Sequence, residues 1–191
     1  MKSMDGTLAC VILAGGKSSR MERDKTLLPF KGYPTLCEYQ YRRMGGLFPH
    51  VYISTKTHEK FGFDADYILD NEEAFAPTYA LKRILETVAE PYVFVMAVDM
   101  PFLSETTIHT LIDAFDPSCD AVIAQEGRTI HTLCGIYNKS ILPLFEEAIR
   151  HDKHKLQLLL QEADTRFVMI DDARSFVNLN YPHEYEEALK L

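Results

Sequence analysis

The stretch "LACVILAGGKSSRMERDK" runs from Leu8 to Lys25. Leu8 to Leu13 are apolar without a break, and Ala14, Gly15 and Gly16 follow at once. A short unbroken apolar run closed by glycine reads as a strand covered on both faces. Glycine allows positive φ and close approach of another group to the backbone. Successive amides in such a turn can converge on phosphate oxygens. Lys17, Arg20, Arg23 and Lys25 add four cations in the next nine residues. Arginine suits two-pronged phosphate contacts and lysine a point charge. The competing reading is a basic surface turn that balances nearby carboxylates. Two better-known phosphate loops do not fit. "GKS" at 16–18 would end a Walker A loop only with a glycine where Val11 stands, and no GxGxxG follows.

Working outward, further apolar runs have strand character: "HVYIS" (50–54), "YVFVMAV" (92–98), "DAVIAQ" (120–125), "LCGIY" (133–137) and "RFVMI" (166–170). Helix-period segments lie between them. Leu81, Ile84, Leu85 and Val88 fall at i, i+3, i+4 and i+7, as do Ile108, Leu111, Ile112 and Phe115. Pro77 or Thr78 suits the start of the first, and Ser104 the start of the second. Ser140 is a candidate cap for "ILPLFEEAIR", and Pro182 stands near the start of a last helix carrying Tyr185, Ala188 and Leu189. Strands and helices in alternation predict an α/β fold: a single Rossmann-like three-layer domain over residues 1–191, with a mostly parallel central sheet and helices on both faces. Ligands of such sheets bind beyond the carboxyl ends of the strands.

The chain of 191 residues carries a net charge of −8, so it has no basic excess with which to bind a nucleic-acid backbone. No apolar run approaches the ~20 residues of a membrane helix. The opening residues do not read as a signal peptide, because their short apolar stretch ends in Gly-Gly. Cys10, Cys37, Cys119 and Cys134 are widely spaced and read as free thiols. A cytoplasmic protein is expected.

Asp99 stands just beyond the run at 92–98, before Pro101. A carboxylate there is either turn chemistry or a ligand for Mg²⁺, which takes one or two carboxylates plus substrate phosphates. Asp70 closes "YILD" and is either a turn carboxylate beside Asn71 or a ligand contact. Asn178 and Asn180 share a face if extended and offer amide donors and acceptors. Their other reading is an Asx-turn leading into the helix at Pro182.

"LAGGKSSRMERDK" with "LLPFKG" after it closely resembles the opening signature of the molybdenum cofactor guanylyltransferases, LAGG-x-S-x-R-M-G-x-D-K-x-L followed by a glycine. Glu22 departs from it, standing where the family has glycine. "VDMPFL" resembles the family's DMP motif, "TIHTLCGIY" its HPLCGLY segment, and "FVNLNYPHEYEEA" its F-x-N-I-N-T-P-E-D close. The family's GPLAG appears as "APTYA" (76–80), with both glycines replaced by alanine and the bulky Tyr79 within it; Lys56 stands where many relatives have Asn.

The resemblance implies the nucleotide-diphospho-sugar transferase type of fold. It implies transfer of GMP from GTP to the terminal phosphate of molybdopterin, with pyrophosphate released. Leu13, Ala14, Gly15, Gly16, Lys25, Asp70 and Asp99 would contact the nucleotide. Arg20, Lys25 and Asp99 would serve catalysis, with Asp99 holding Mg²⁺. Asn178 and Asn180 would face the acceptor, and Asp24 would orient neighbouring cations. Molybdenum-insertion proteins or molybdoenzyme chaperones are the implied protein partners. Two alternatives stay open: a sibling enzyme using CTP or a sugar or alcohol phosphate, and a nucleotide-binding module without catalysis.

Overall fold

The computed structural model describes residues 8–15, 23–70 and 76–191. Its centre is a seven-stranded sheet of β1 (Leu8–Leu13), β2 (Val51–Thr55), β3 (Asp66–Leu69), β4 (Tyr92–Ala97), β5 (Ala121–Glu126), β6 (Thr129–Asn138) and β7 (Thr165–Met169), in the order β3-β2-β1-β4-β6-β5-β7. Only β6 runs against the others. The described helices are α1 (Leu36–Gly45), α2 (Pro77–Thr87), α3 (Glu105–Ala114), α4 (Leu142–Arg150), α5 (Leu156–Glu162) and α6 (Pro182–Ala188).

The alternation of side chains along a strand explains the unbroken apolar character of β1. Cys10 and Ile12 point into a core shared with Leu36 and Met44 of α1, Ile108 and Leu111 of α3, and Ala188 of α6. Ala9, Val11 and Leu13 point into a second core with Leu81 and Ile84 of α2, Phe145 of α4, and Leu159 and Leu160 of α5. A three-layer arrangement follows, as the sequence predicts. Ser104 caps α3 by accepting from the Thr107 amide at 3.1 Å. Ser140 does not cap α4. A 3₁₀ turn at Lys139–Ile141 precedes that helix, and the Ser140 hydroxyl instead donates to Asp120 Oδ1 at 2.6 Å. Three elements escape the reading by period: β3 is four residues long, α5 is seven, and α1 buries a glutamine on its core face.

From β1 the chain winds outward to β2 and β3, then crosses back to place β4 on the other side of β1. The switch point therefore lies between the carboxyl ends of β1 and β4, where open α/β sheets form their crevice. The Val98 amide donates to the Leu13 carbonyl there at 3.1 Å.

A bulge shapes the far wall. Ile123 pairs with Gly135 but Ala124 pairs with His131, so residues 132–134 of β6 have no partner on β5. Gly135 cannot carry a side chain: a Cβ would lie 2.2 Å from the Val122 carbonyl oxygen and 2.9 Å from Ile123 Cα. Both obstacles are backbone. Gly135→Ala is expected to destabilise the fold by about 3 kcal/mol, the upper range for overpacking. Urea unfolding checks this; a midpoint matching wild type would refute the close packing.

Candidate active site

At the switch point Lys25 joins three segments of chain. Its ammonium pairs with the Asp99 carboxylate and donates to Asn180 Oδ1 at 3.3 Å. Lys25 rides on a 3₁₀ turn, Lys25–Leu27, capped by Asp24. Asp24 Oδ1 accepts from the Thr26 amide at 3.0 Å and its hydroxyl at 2.6 Å, while Oδ2 takes Lys60 at 2.7 Å. Burial alone would raise the Asp24 carboxyl; the hydrogen bonds from Lys60 and Thr26 outweigh it and hold the group below its ordinary value. Asp24 thus orients the turn that presents Lys25, and its own ion pair is with Lys60. Sequence reading misses Lys60, since a lysine 36 residues away carries no local signal.

Asp99 lies two residues beyond the end of β4, and its carbonyl accepts from the Leu179 amide at 2.9 Å. That bond seats the segment containing Asn178 and Asn180 beside Asp99. Glu184 fixes the segment from the other side. Its Oε2 accepts from the Asn180 amide at 2.7 Å and the Tyr181 amide at 3.0 Å, at the start of α6. Asn180 reaches Lys25, whereas Asn178 Oδ1 is buried and no described residue bonds to it.

A cleft of about 120 Å³ opens beyond the carboxyl ends of β1 and β2. Leu13, Pro77, Ala80 and Leu133 supply apolar wall, with Gly15 at its edge. Lys56 and Asp70, 3.3 Å apart, supply the charged groups. Ala14 is buried and ties β1 to β2 through its amide, which donates to the Ser54 carbonyl at 2.8 Å. Gly16, Arg20 and Glu22 lie outside the described residues.

These features place a cation–carboxylate pair beyond the carboxyl end of β4 and a cleft beyond the carboxyl ends of β1 and β2. The chain matches the MobA-like NTP transferase domain over residues 10–166. It belongs to this family. It is 35% identical over 182 residues to a molybdenum cofactor guanylyltransferase of Campylobacter jejuni, with 94% of each chain covered. It is 33% identical over 190 residues to the Helicobacter pylori protein of that name, covering 96% of this chain and 89% of the relative. Molybdopterin-guanine dinucleotide biosynthesis protein A of Archaeoglobus fulgidus shares the fold, with a TM-score of 0.80 over 95% of this chain and 97% of that one, at 20% identity.

The departures from the MobA-like pattern can now be placed. Ala76 and Ala80 line the cleft with no more than a methyl group each. Tyr79 packs on His154, with ring centroids 5.0 Å apart. His154 Nδ1 also lies 2.7 Å from the Thr78 hydroxyl. The bulk in "APTYA" is therefore accommodated against the loop between α4 and α5. Thr132, in place of the family's proline, accepts a hydrogen bond from the Tyr137 hydroxyl through its carbonyl.

Proposed function

We propose that this chain transfers GMP from GTP to the terminal phosphate of a molybdopterin. The observation that carries the reading is Lys25 held between Asp99 and Asn180 at the switch point. An oxygen of the acceptor phosphate attacks the α-phosphorus of GTP. The new P–O–P bond forms as the bond to the β-phosphate breaks, and pyrophosphate leaves with its electron pair. The acceptor brings its own nucleophile, so the protein needs none. Its task is to align the two phosphates and offset charge on the leaving group.

Lys25 would serve that task. A triphosphate entering beside Gly15 competes with Asp99 for the ammonium. Lys25 then exchanges one anionic partner for another, and the Asp99 carboxylate becomes available to a cation. Among the described residues no group of three or more His, Cys, Asp or Glu side chains could hold a metal. A single hard carboxylate fits Mg²⁺, which keeps water and substrate phosphates as its other ligands. Asp99 would hold the ion, which when bound supplies positive charge to the phosphate oxygens. Asn180 and Asn178 would face the acceptor. Among the described residues no helix is long and apolar enough to cross a membrane.

The cleft accepts the nucleoside, and Asp70 supplies an acceptor for donors on ribose or base. A hydrogen bond to a charged group contributes about 1.5–3 kcal/mol. Asp70→Ala is therefore expected to raise KM for GTP roughly tenfold or more, with kcat little changed. A fall in kcat at constant KM would move Asp70 out of nucleotide binding.

Steady-state pyrophosphate release with molybdopterin as acceptor, GTP and CTP side by side, tests the proposal. Preference for GTP supports it. Preference for CTP would assign the chain to a cytidylyl transfer on the same fold. Nucleotide binding without pyrophosphate release would make it a binding module.

A further inference from the structure

We infer that Gln40 and Arg43 of α1 are positioning residues that set the direction of Asp99. The backbone on both sides of Asp99 is held by side chains of this one helix. Gln40 Nε2 donates to the Val98 carbonyl at 3.2 Å and to the Met100 carbonyl at 3.0 Å. Arg43 continues the row, donating to the Pro101 and Leu103 carbonyls, each at 2.8 Å. The Asp99 carbonyl is taken by the Leu179 amide, and the Ala97 carbonyl by the Met100 amide. Every carbonyl from Ala97 to Pro101 thus has a donor, and α1 serves three of the five; the Met100 carbonyl also takes the Leu103 amide, at 3.3 Å.

Gln40 is fully buried, and its Oε1 has no partner among the described residues. Its orientation is settled by chemistry, because two carbonyls need the NH₂ end facing them. The helix bears the cost of a buried orphan acceptor to keep that amide in place. An apolar residue would fill the same space and pack α1 equally well. What it could not do is hold the peptide planes that flank Asp99, and a side chain's direction follows from those planes.

The same helix also mounts Lys25. The Leu36 amide, at the start of α1, donates to the Leu28 carbonyl at 2.6 Å, one residue beyond the Lys25–Leu27 turn. Both members of the Lys25–Asp99 pair are therefore referenced to α1. Its movement relative to β4 would change their separation.

The test is Gln40→Leu, read by kinetics and by amide hydrogen exchange. The kinetic arm rests on the proposed nucleotidyl transfer; the exchange arm does not. Loss of alignment by a fraction of an ångström to an ångström predicts a fall in kcat of ~30- to 100-fold, with KM for GTP within about threefold of wild type. Exchange is expected to accelerate at residues 98–103 while the remainder of the sheet keeps its protection. A merely structural role would raise exchange throughout the core, and that result would overturn the inference. So would a folded variant with kcat within about threefold of wild type. If wild-type protein fails to release pyrophosphate, the functional proposal falls and the exchange result still decides the inference. Arg43→Lys provides the second variant should Gln40→Leu not fold. It keeps the charge but cannot span the Pro101 and Leu103 carbonyls with a planar fork. Local acceleration at 98–103 is expected, and an unchanged exchange pattern would count against the positioning role.

Discussion

Asp99→Asn is expected to lower kcat by roughly a thousandfold or more, about 4 kcal/mol of transition-state stabilisation, with the fold intact. The change is isosteric, so the Asp99 carbonyl keeps the Leu179 amide and the loop keeps its frame. What disappears is negative charge at one point. In the proposed reaction that charge would serve twice. The carboxylate pairs with Lys25, and it would be the hard oxygen donor for a divalent cation once substrate has entered. An amide oxygen is a weaker ligand and carries no charge to partner the ammonium. Pyrophosphate release at saturating GTP and Mg²⁺, with circular dichroism as the fold control, measures the effect. Turnover within about tenfold of wild type would remove Asp99 from the reaction.

Lys25→Ala should be nearly as severe and should fall differently between the two kinetic constants. Removing one preorganised donor from developing charge costs ~10²–10³ in kcat in comparable sites. Lys25 is largely enclosed, with 20% of its side chain exposed, so water screens it less than a surface lysine. Its removal also leaves Asp99 without the ammonium that pairs with it, and an uncompensated carboxylate there repels the triphosphate. KM for GTP should therefore rise, but by less than kcat falls. A variant in which only KM changes would make Lys25 a ground-state binder.

The sequence pattern carried much of this architecture, and the exceptions have physical reasons. β1 is legible because it is buried on both faces and ends in glycine, so periodicity and turn chemistry agree. Asp99 is legible because it stands where a strand must stop. The cap at Ser104 is legible because its bond is local. Gln40 and Arg43 are not. A glutamine and an arginine on a helix read as solvent-facing, and only the approach of the 98–103 loop gives their donors a purpose. Lys60 is hidden for the same reason: its partner Asp24 is remote in sequence. Ser140 misleads because an inserted 3₁₀ turn delays α4, a choice that Asn138 makes by accepting from the Ser140 amide at 3.2 Å. β3 is too short and too exposed for alternation to show. The family signature singled out Lys25 and Asn180, which period and spacing could not, and only the fold shows that the two are hydrogen-bonded.

In the proposed reaction the acceptor's own phosphate oxygen attacks the α-phosphorus of GTP. GTP labelled at the α-phosphorus, incubated with protein, Mg²⁺ and molybdopterin, tests it directly. The label should appear in a pterin-linked guanine dinucleotide, in equal amount to unlabelled pyrophosphate, and only when acceptor is present. Label recovered as GDP, or release that proceeds without the pterin, would rule out attack by the acceptor phosphate.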